Sequence, residues 1–261
     1  MKVLVTFALE TEFAPWRSAR KFWAGKWGAA SVFFAQVGRA EVGVLLTGVG
    51  AAKARDEAAK IEWGEYDPLN FCVSSGLAGA LKPEYQIGQV LAARSVITNL
   101  PPVDLGTDTV DSSTTLVGYA PECGATVVEK FYCTPRVVGR ADEKKHLGET
   151  ADAVEMESFG VLLQAQEFGV PAIAIRAVSD RSDEDLPIDM NRVLTNEGTV
   201  SIPRVLGQVA MHPQSLPALV KLGQHSKQAA EALGSFLDRY IVKVAEKAEP
   251  FESRGSSMAA R

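Results

Sequence analysis

Apolar runs of strand length alternate along this chain with segments whose apolar residues recur at helical spacing. The strand-like runs lie at residues 2–9, 31–37, 42–47, 70–81, 87–97, 126–135 and 170–180. Helical or Ala-rich spacing covers residues 13–22, 48–64, 141–149, 157–169, 202–211 and 216–244. The polar, Pro-containing stretch at 99–122 is predicted to be a loop. This alternation is typical of strands that are connected by helices.

The order of these elements predicts the α/β class. We expect a three-layer sandwich in which helices cover both faces of a central mixed β-sheet. The chain is helical after residue 190, which predicts extra C-terminal helices beyond the sheet. Because no interdomain linker interrupts the pattern, we predict one domain over residues 1–245. The polar segment at 246–261 is predicted to be a mobile tail.

Composition excludes several classes of function. The 261 residues are 46% hydrophobic and carry a net charge of −5, which argues against nucleic-acid binding. Three cysteines without a C-x-x-C pair indicate a reduced, cytoplasmic setting. The three histidines lie far apart, so no metal site is predicted. The first apolar run ends in Glu10 and Glu12, and we interpret it as a strand, not a signal peptide.

Several predicted strands end in small or polar residues. These ends are ALETE (8–12), TGVGAAKA (47–54), SSGLAGA (74–80) and RAVSDRSD (176–183). Ligands of α/β sheets bind outside the carboxyl ends of strands, so we expect these segments to line one pocket. In SSGLAGA, Ala78 and Gly79 are small enough for a ligand to lie against the backbone. Close helix–sheet packing is the alternative interpretation of those small residues.

The segment DAVEMES places Glu155 and Glu157 on either side of Met156, where a buried run meets a helix. Burying a carboxylate without a partner is costly, so this pair needs an explanation. A ligand that uses the carboxylates is one explanation. Likewise, Asp180 ends a buried run either as a helix cap or as a functional acid.

The glycine-rich turn GVGAAKA follows a strand and opens a helix. Backbone N–H groups near Gly48 and Gly50 are therefore candidates for holding a phosphate. A dinucleotide fingerprint would require a third glycine where Lys53 stands, which makes a dinucleotide-dependent oxidoreductase a weaker alternative. A tight strand-to-helix turn without a ligand also accounts for these glycines.

Taken together, ALETE, TGVGAAKA, SSGLAGA, DAVEMES and VPAIAIRAVSDRSDED resemble the purine nucleoside phosphorylase and methylthioadenosine/adenosylhomocysteine nucleosidase superfamily in order and spacing. The resemblance covers residues 1–185, and VEMES followed by RAVSD is its most specific part. The C-terminal continuation is similar, more loosely, to the hopanoid-associated phosphorylases of that superfamily. The resemblance implies cleavage of the N-glycosidic bond of a purine nucleoside, without a metal or redox cofactor.

The resemblance also implies roles for individual residues. Asp180, held by Ser179, would protonate the purine at N7, which requires a carboxyl group kept protonated by burial. Glu157 would accept the ribose hydroxyls, and Met156 would pack against the sugar. We interpret Glu155 as a supporting group behind them.

For the base, the family's stacking aromatic has no counterpart at the matching place. Val137 and Val138 are therefore expected to contact the purine through apolar and backbone groups. A carboxylic acid at position 180, instead of an amide, suits a 6-aminopurine such as adenine.

The nucleophile stays open between water and phosphate. Glu12 occupies the place of the water-activating glutamate of the hydrolases, whereas the C-terminal similarity favours phosphorolysis with inorganic phosphate as co-substrate. The phosphate-binding Arg and Ser of the phosphorylases correspond here to Ser74 and Leu77. Arg39 is a candidate for the missing cation, together with the turn at Gly48 and Gly50.

The substrate and partners follow from the same resemblance. The hopanoid-associated branch implies a large apolar group on the ribose 5′ carbon, as in adenosylhopane, under the helix from Leu216 onward. Trp16, Trp23 and Trp27 are candidates for lining that opening or for meeting a membrane that carries a lipid substrate, or else for the core. A homo-oligomer is expected. A nucleoside-binding protein without turnover is the alternative from another functional class.

Overall fold

The apolar runs form the strands of one curved sheet. The structure, a computed structural model, describes residues 1–64, 69–99, 107–193, 195 and 201–247. Within those residues the strands are Lys2–Phe7 (β1), Trp23–Trp27 (β2), Ala30–Val37 (β3), Ala40–Leu46 (β4), Phe71–Ser74 (β5), Leu77–Ala80 (β6), Val90–Thr98 (β7), Thr109–Asp111 (β8), Thr126–Cys133 (β9), Ala153–Glu155 (β10) and Ala172–Asp180 (β11).

Helices connect these strands and complete the carboxyl-terminal part of the described chain. They are Glu10–Ala19 (α1), Ala51–Ala58 (α2), Thr114–Tyr119 (α3), Ala141–Leu147 (α4), Ser158–Glu167 (α5), Met190–Val193 (α6), Ile202–Met211 (α7) and Leu216–Lys247 (α8). None of these helices, within the ranges that the structure describes, is long and apolar enough to cross a membrane.

The sheet mixes parallel and antiparallel pairs and partly closes on itself. Its strand order is β2-β3-β4-β1-β5-β11-β6-β10-β9-β7-β8, with a further pairing between β11 and β7. The strands β11, β6, β10, β9 and β7 therefore form a closed ring, in which β7 runs antiparallel to β11. In β11 every residue before Asp180 is buried, as expected for a strand covered on both faces.

Helices cover both faces of the sheet, which confirms the predicted three-layer α/β architecture. Apolar residues of α2 and α5 pack on one face, and those of α1, α3 and α8 pack on the other. Helix α8 lies against α1 so closely that Gly234 faces Trp16. A Cβ built at Gly234 would lie 2.9 Å from the Trp16 Cβ.

Several element predictions are corrected by the structure. The run at 70–81 is two strands, β5 and β6, and the predicted loop at 99–122 contains β8 and α3. Strand β2 was not predicted, because most of its residues are exposed and it lacks an apolar run. Helix α8 continues through Lys247, and the rest of the predicted tail lies outside the described residues.

Candidate active site

The predicted strand ends meet at one cleft. Strands β1, β4, β5 and β11 are parallel to their neighbours in this part of the sheet, so their carboxyl ends share one edge. The cleft there has a volume of about 220 Å³. Ten residues that the sequence singled out as substrate contacts or catalytic groups line it: Glu12, Ala78, Gly79, Val137, Val138, Glu155, Met156, Glu157, Ser179 and Asp180. Their roles stay predictions, but the fold brings them together.

Glu12 lies in the first turn of α1, and its carboxylate faces the cleft. Its Oε2 accepts the backbone N–H of Ala8 at 3.0 Å and that of Leu9 at 3.1 Å. Its Oε1 accepts the N–H of Leu77 at 3.2 Å. Burial raises the pKa of Glu12, although these backbone hydrogen bonds oppose the rise. A fixed carboxylate with a raised pKa is suited to take a proton from water.

Behind the cleft, Arg176 is buried in β11 and holds the two glutamates of DAVEMES. Its Nη2 pairs with Glu155 and lies 3.6 Å from Oε2 of Glu157. Its Nη1 donates to the backbone oxygen of Ser74 at 2.9 Å. Glu155 also accepts the N–H groups of Glu157 and Ser158, at 2.9 and 2.8 Å. The Glu155 carboxylate therefore interacts with groups of the protein itself, namely Arg176 and the N–H groups at the start of α5.

One donor of Arg176 is not used by this network. Its Nε is buried and donates no hydrogen bond within the described residues. A Cβ built at Gly76 would lie 3.6 Å from that Nε and 3.4 and 3.5 Å from the Glu12 carboxylate oxygens. The free N–H and the Glu12 carboxylate thus approach the same glycine. Gly76 also has a φ of 151°, a conformation that side chains disfavour.

Glu157 is the most perturbed carboxyl group of the cleft. It is 9% exposed, and its Oε1 accepts the N–H of Gly50 at 3.1 Å. Burial and the neighbouring charge of Glu155 raise the pKa of Glu157 to about 8, against the opposing effect of Arg176. The surroundings of Glu157 in the free protein therefore favour its protonated form. A ligand that donates hydrogen bonds to it would favour its charged form.

Asp180 ends β11 and is held by two donors. The Ser179 hydroxyl donates to its Oδ1 at 2.8 Å, and the Lys144 ammonium donates to its Oδ2 at 2.6 Å. Its side chain is 18% exposed, whereas that of Lys144 is fully buried. Asp180 is therefore only partly buried and has a cation as its partner, and its role as a proton donor stays a prediction. The strand ends at the open cleft, and the nearest buried group is a cation.

The wall beside Asp180 is closed by backbone contacts from the segment that follows β11. The side-chain amide of Asn191 bonds both the N–H and the carbonyl of Val137, at 2.8 and 2.9 Å. The N–H of Leu186 donates to the carbonyl of Gly139 at 2.7 Å. These bonds hold the Val137 backbone in place, and the contact of Val137 and Val138 with a base stays a prediction. No aromatic side chain lines the cleft in the described parts of the chain.

The candidate phosphate residues are not arranged around an open site. Gly48 donates its N–H to the carbonyl of Ala8, and Gly50 donates its N–H to Glu157. Arg39 lies in the exposed turn between β3 and β4, at the opposite edge of the sheet. Within one chain Arg39 therefore does not reach the glycine turn, and the phosphate site suggested by the sequence stays a prediction. Hydrogen bonding inside the protein has taken the glycine N–H groups, and hairpin topology has directed Arg39 away.

The tryptophans also lie away from the cleft. Trp16 is buried between α1 and α8, and its Nε1 donates to Asp238 at 2.8 Å. Trp27 is buried in the core, and Trp23 is half exposed on β2. None of them lines the opening, so the core interpretation holds for Trp16 and Trp27.

Sequence reasoning missed two cations that organise the site. Arg176 interrupts the apolar run AIAIRAVSD, and a charge in the middle of a buried strand is a signal that a partner is needed. Lys144 stands among other charges in ADEKKHLGE, where nothing in the sequence separates it from a solvated lysine.

The cleft and the mixed sheet define a class of protein, an α/β fold with a candidate ligand cleft at the carboxyl edge of its curved sheet. The sequence model of the Phosphorylase superfamily matches residues 1–201. The chain belongs to this superfamily, which confirms the resemblance seen in the sequence.

Comparison with individual proteins gives more distant matches. A futalosine hydrolase of Streptomyces coelicolor is 31% identical over 157 residues, which span 52% of this chain and 66% of that protein, just under two thirds of its length. The fold is similar to that of 5′-methylthioadenosine/S-adenosylhomocysteine nucleosidase of Helicobacter pylori, with a TM-score of 0.69 and 18% identity over 92% of this chain and 97% of that one. Futalosine hydrolase of Helicobacter pylori also has a similar fold, with a TM-score of 0.66 and 18% identity over 92% of this chain and 98% of that one.

Proposed function

We propose that this protein is a nucleosidase that cleaves the N-glycosidic bond of a purine nucleoside with water as the nucleophile. The observation that carries the proposal is the position of Glu12. Its carboxylate is fixed by three backbone N–H groups and lies beside the unused Nε of Arg176, with Asp180 lining the same cleft. A base at one end and an acid at the other are what hydrolysis of this bond requires.

In the proposed reaction, the water oxygen forms a bond to C1′ of the ribose as the bond from C1′ to the purine breaks. The electron pair of the broken bond moves to the purine, and Asp180 supplies a proton at N7. Glu12 takes the proton that the water loses. Glu157 accepts the hydroxyls of the sugar, and Met156 packs against it. The products are the free purine and the free sugar.

Charge favours water over phosphate. Four residues of the cleft lining carry carboxyl groups, Glu12, Glu155, Glu157 and Asp180, and one lining residue in the described part of the chain, Arg136, carries a cation. Arg136 is largely exposed and already pairs with Glu143. A phosphate dianion would therefore find no unpaired cation in the described lining to hold it, whereas water is neutral and needs none.

The 5′ side of the nucleoside is proposed to carry an apolar group. The lining includes Leu9, Val49, Leu186, Met190 and Leu222. Beyond them, α7 and the start of α8 expose Ile202, Leu206, Met211, Leu216 and Val220. A cleft of about 220 Å³ is smaller than the roughly 300 Å³ lower bound of most small-molecule sites, so a large 5′ group would extend onto this apolar surface. A hopanoid-like substituent, as in adenosylhopane, is the largest candidate; the Streptomyces relative, named for futalosine, points to another.

The proposal is tested by release of free purine from 5′-methylthioadenosine, adenosine and inosine, each with and without inorganic phosphate. We expect release without phosphate, with free sugar as the second product. Release that depends on phosphate and yields a sugar 1-phosphate would overturn the choice of water. Tight binding of these nucleosides without release of any base would favour the non-catalytic binding protein.

Glu12 has a matched control two residues away. Glu10 lies at the surface, where it pairs with Arg17 at 2.7 Å. Because general-base catalysis contributes about 100- to 10,000-fold, Glu12→Gln should lower kcat within that range. Glu10→Gln should leave kcat unchanged. Equal effects of the two substitutions would remove Glu12 from the mechanism.

A further inference from the structure

Lys144 is a fully buried lysine whose ammonium group points at the proposed acid. Its Nζ donates to Asp180 Oδ2 at 2.6 Å, to the backbone oxygen of Arg181 at 2.7 Å and to that of Glu184 at 3.2 Å. All three donors of the ammonium are therefore used. Lys144 does not line the cleft, so it does not meet the substrate.

These contacts distinguish the two oxygens of Asp180. Because two of the three donors of Lys144 are held by backbone carbonyls, the ammonium cannot swing away from Oδ2 without losing them. The other oxygen, Oδ1, accepts from the Ser179 hydroxyl, which also lies 3.3 Å from the backbone oxygen of Ala78. Ser179 thus has a second acceptor when Oδ1 carries a proton.

We propose that Lys144 is a positioning residue for proton transfer by Asp180, an inference that rests on the proposed nucleosidase function. Lys144 fixes the plane of the carboxyl group and compensates the charge that forms on it. In this step the O–H bond of Asp180 breaks and an N–H bond forms at purine N7. Asp180 is left as a carboxylate beside the ammonium. A preplaced charge of this kind stabilises the transition state more than the ground state.

A purely structural role is the alternative. The same ammonium anchors the carbonyls of Arg181 and Glu184, at the start of the segment that carries Leu186 and Met190 to the cleft. If Lys144 only anchors this segment, its loss harms the site whatever residue stands at position 180. If it acts through Asp180, its loss matters only while Asp180 is an acid.

A double-mutant cycle separates the two roles. Lys144→Met, Asp180→Asn and the double variant are compared by kcat and KM for the nucleoside that the wild-type protein cleaves best. We expect Lys144→Met to lower kcat by up to about 100-fold with little change in KM, as for a misplaced catalytic group. In the Asp180→Asn background the same substitution should have no further effect on kcat. If Lys144→Met lowered kcat by the same factor with Asp180 and with Asn at position 180, the inference would be overturned.

A second Lys–Asp pair in the chain provides the control. Lys82 donates to Asp152 at the same distance, 2.6 Å, and neither residue lines the cleft. Lys82→Met should leave kcat near the wild-type value in both backgrounds. A loss of kcat equal to that of Lys144→Met would indicate general damage to the fold and would contradict the inference.

Lys144→Gln keeps a neutral donor and guards against a variant that fails to fold. Thermal unfolding of both variants is measured first. If Lys144→Met is unfolded, Lys144→Gln replaces it in the cycle. Where both fold, Gln should restore part of the kcat lost with Met, because it again donates to Oδ2. No rescue would contradict the orienting role. If the wild-type protein releases no base at all, the proposed function fails, and this inference fails with it. If the wild-type protein is active but the two substitutions lower kcat independently, only this inference is refuted.

Discussion

Gly79 shows how closely the acid approaches the wall of the cleft. A Cβ built at this position would lie 2.9 Å from Asp180 Oδ2 and 3.2 Å from Val154 Cγ1. Both distances are shorter than ordinary van der Waals contact. Gly79 lies in β6 and does not have a positive φ, so the backbone itself accepts alanine. The glycine is therefore needed for space, not for conformation.

Gly79→Ala should push the Asp180 carboxyl group away from its partners and lower kcat by about 10- to 100-fold, because small displacements of catalytic groups cost this much. Gly118→Ala is the control, since a Cβ there meets nothing within 4 Å. Steady-state kinetics and thermal unfolding of both variants check the prediction. Unchanged kcat in Gly79→Ala would mean that Asp180 tolerates the displacement or plays no part in the reaction.

At the scale of elements, the contact between α1 and α8 holds in place the helix that carries Glu12. Helix α1 carries Glu12, and α8 packs on it through Gly234 and Trp16. The Trp16 Nε1 and the Arg20 guanidinium both bond Asp238 of α8. The sequence predicted both helices, but it held no sign that they pack together, because residues more than 200 positions apart form the contact.

Gly234→Ala should destabilise the protein by about 1–3 kcal/mol, because the added methyl group would overpack the contact with Trp16. Gly223→Ala lies in the same helix with nothing within 4 Å of a built Cβ, and it should stabilise by up to about 1 kcal/mol through helix propensity. Chemical denaturation of the two variants measures both effects. Equal stability of the pair would show that the helices separate at low cost.

At the scale of the whole molecule, the buried carboxyl groups couple stability to pH. The pKa of Glu157 is raised from its ordinary value of 4.5 to about 8 by burial and by the charge of Glu155. Between these two pH values the unfolded chain has released a proton that the folded protein still holds. Stability therefore falls as pH rises through this window. The raised pKa of Glu12 acts in the same direction.

We expect the thermal midpoint of unfolding to fall as pH rises from about 4.5 to about 8, and to fall less in Glu157→Gln. Glu10→Gln, at the surface, should keep the wild-type slope. Scanning calorimetry across this range measures the three profiles. A Glu157→Gln profile parallel to the wild type would show that Glu157 does not carry the coupling.

The sequence predicted the residues that line the cleft better than the residues that hold them in place. Ten candidate residues line one cleft as expected, and the superfamily resemblance is confirmed over residues 1–201. The predicted phosphate site stays a prediction, and in the single chain the N–H groups of Gly48 and Gly50 donate to Ala8 and Glu157. The homo-oligomer and the 5′ substituent stay predictions.

The spacing of apolar residues and the residue types at strand ends are local properties of the sequence. They were enough to predict the α/β class, the order of most elements and the residues at the carboxyl edge of the sheet. The closure of β7 onto β11, the burial of Arg176 against two glutamates and the approach of Lys144 to Asp180 were decided only by the tertiary structure. These features join positions far apart in the chain. Their energies depend on burial and on distance, and neither quantity is written in the local pattern of residues.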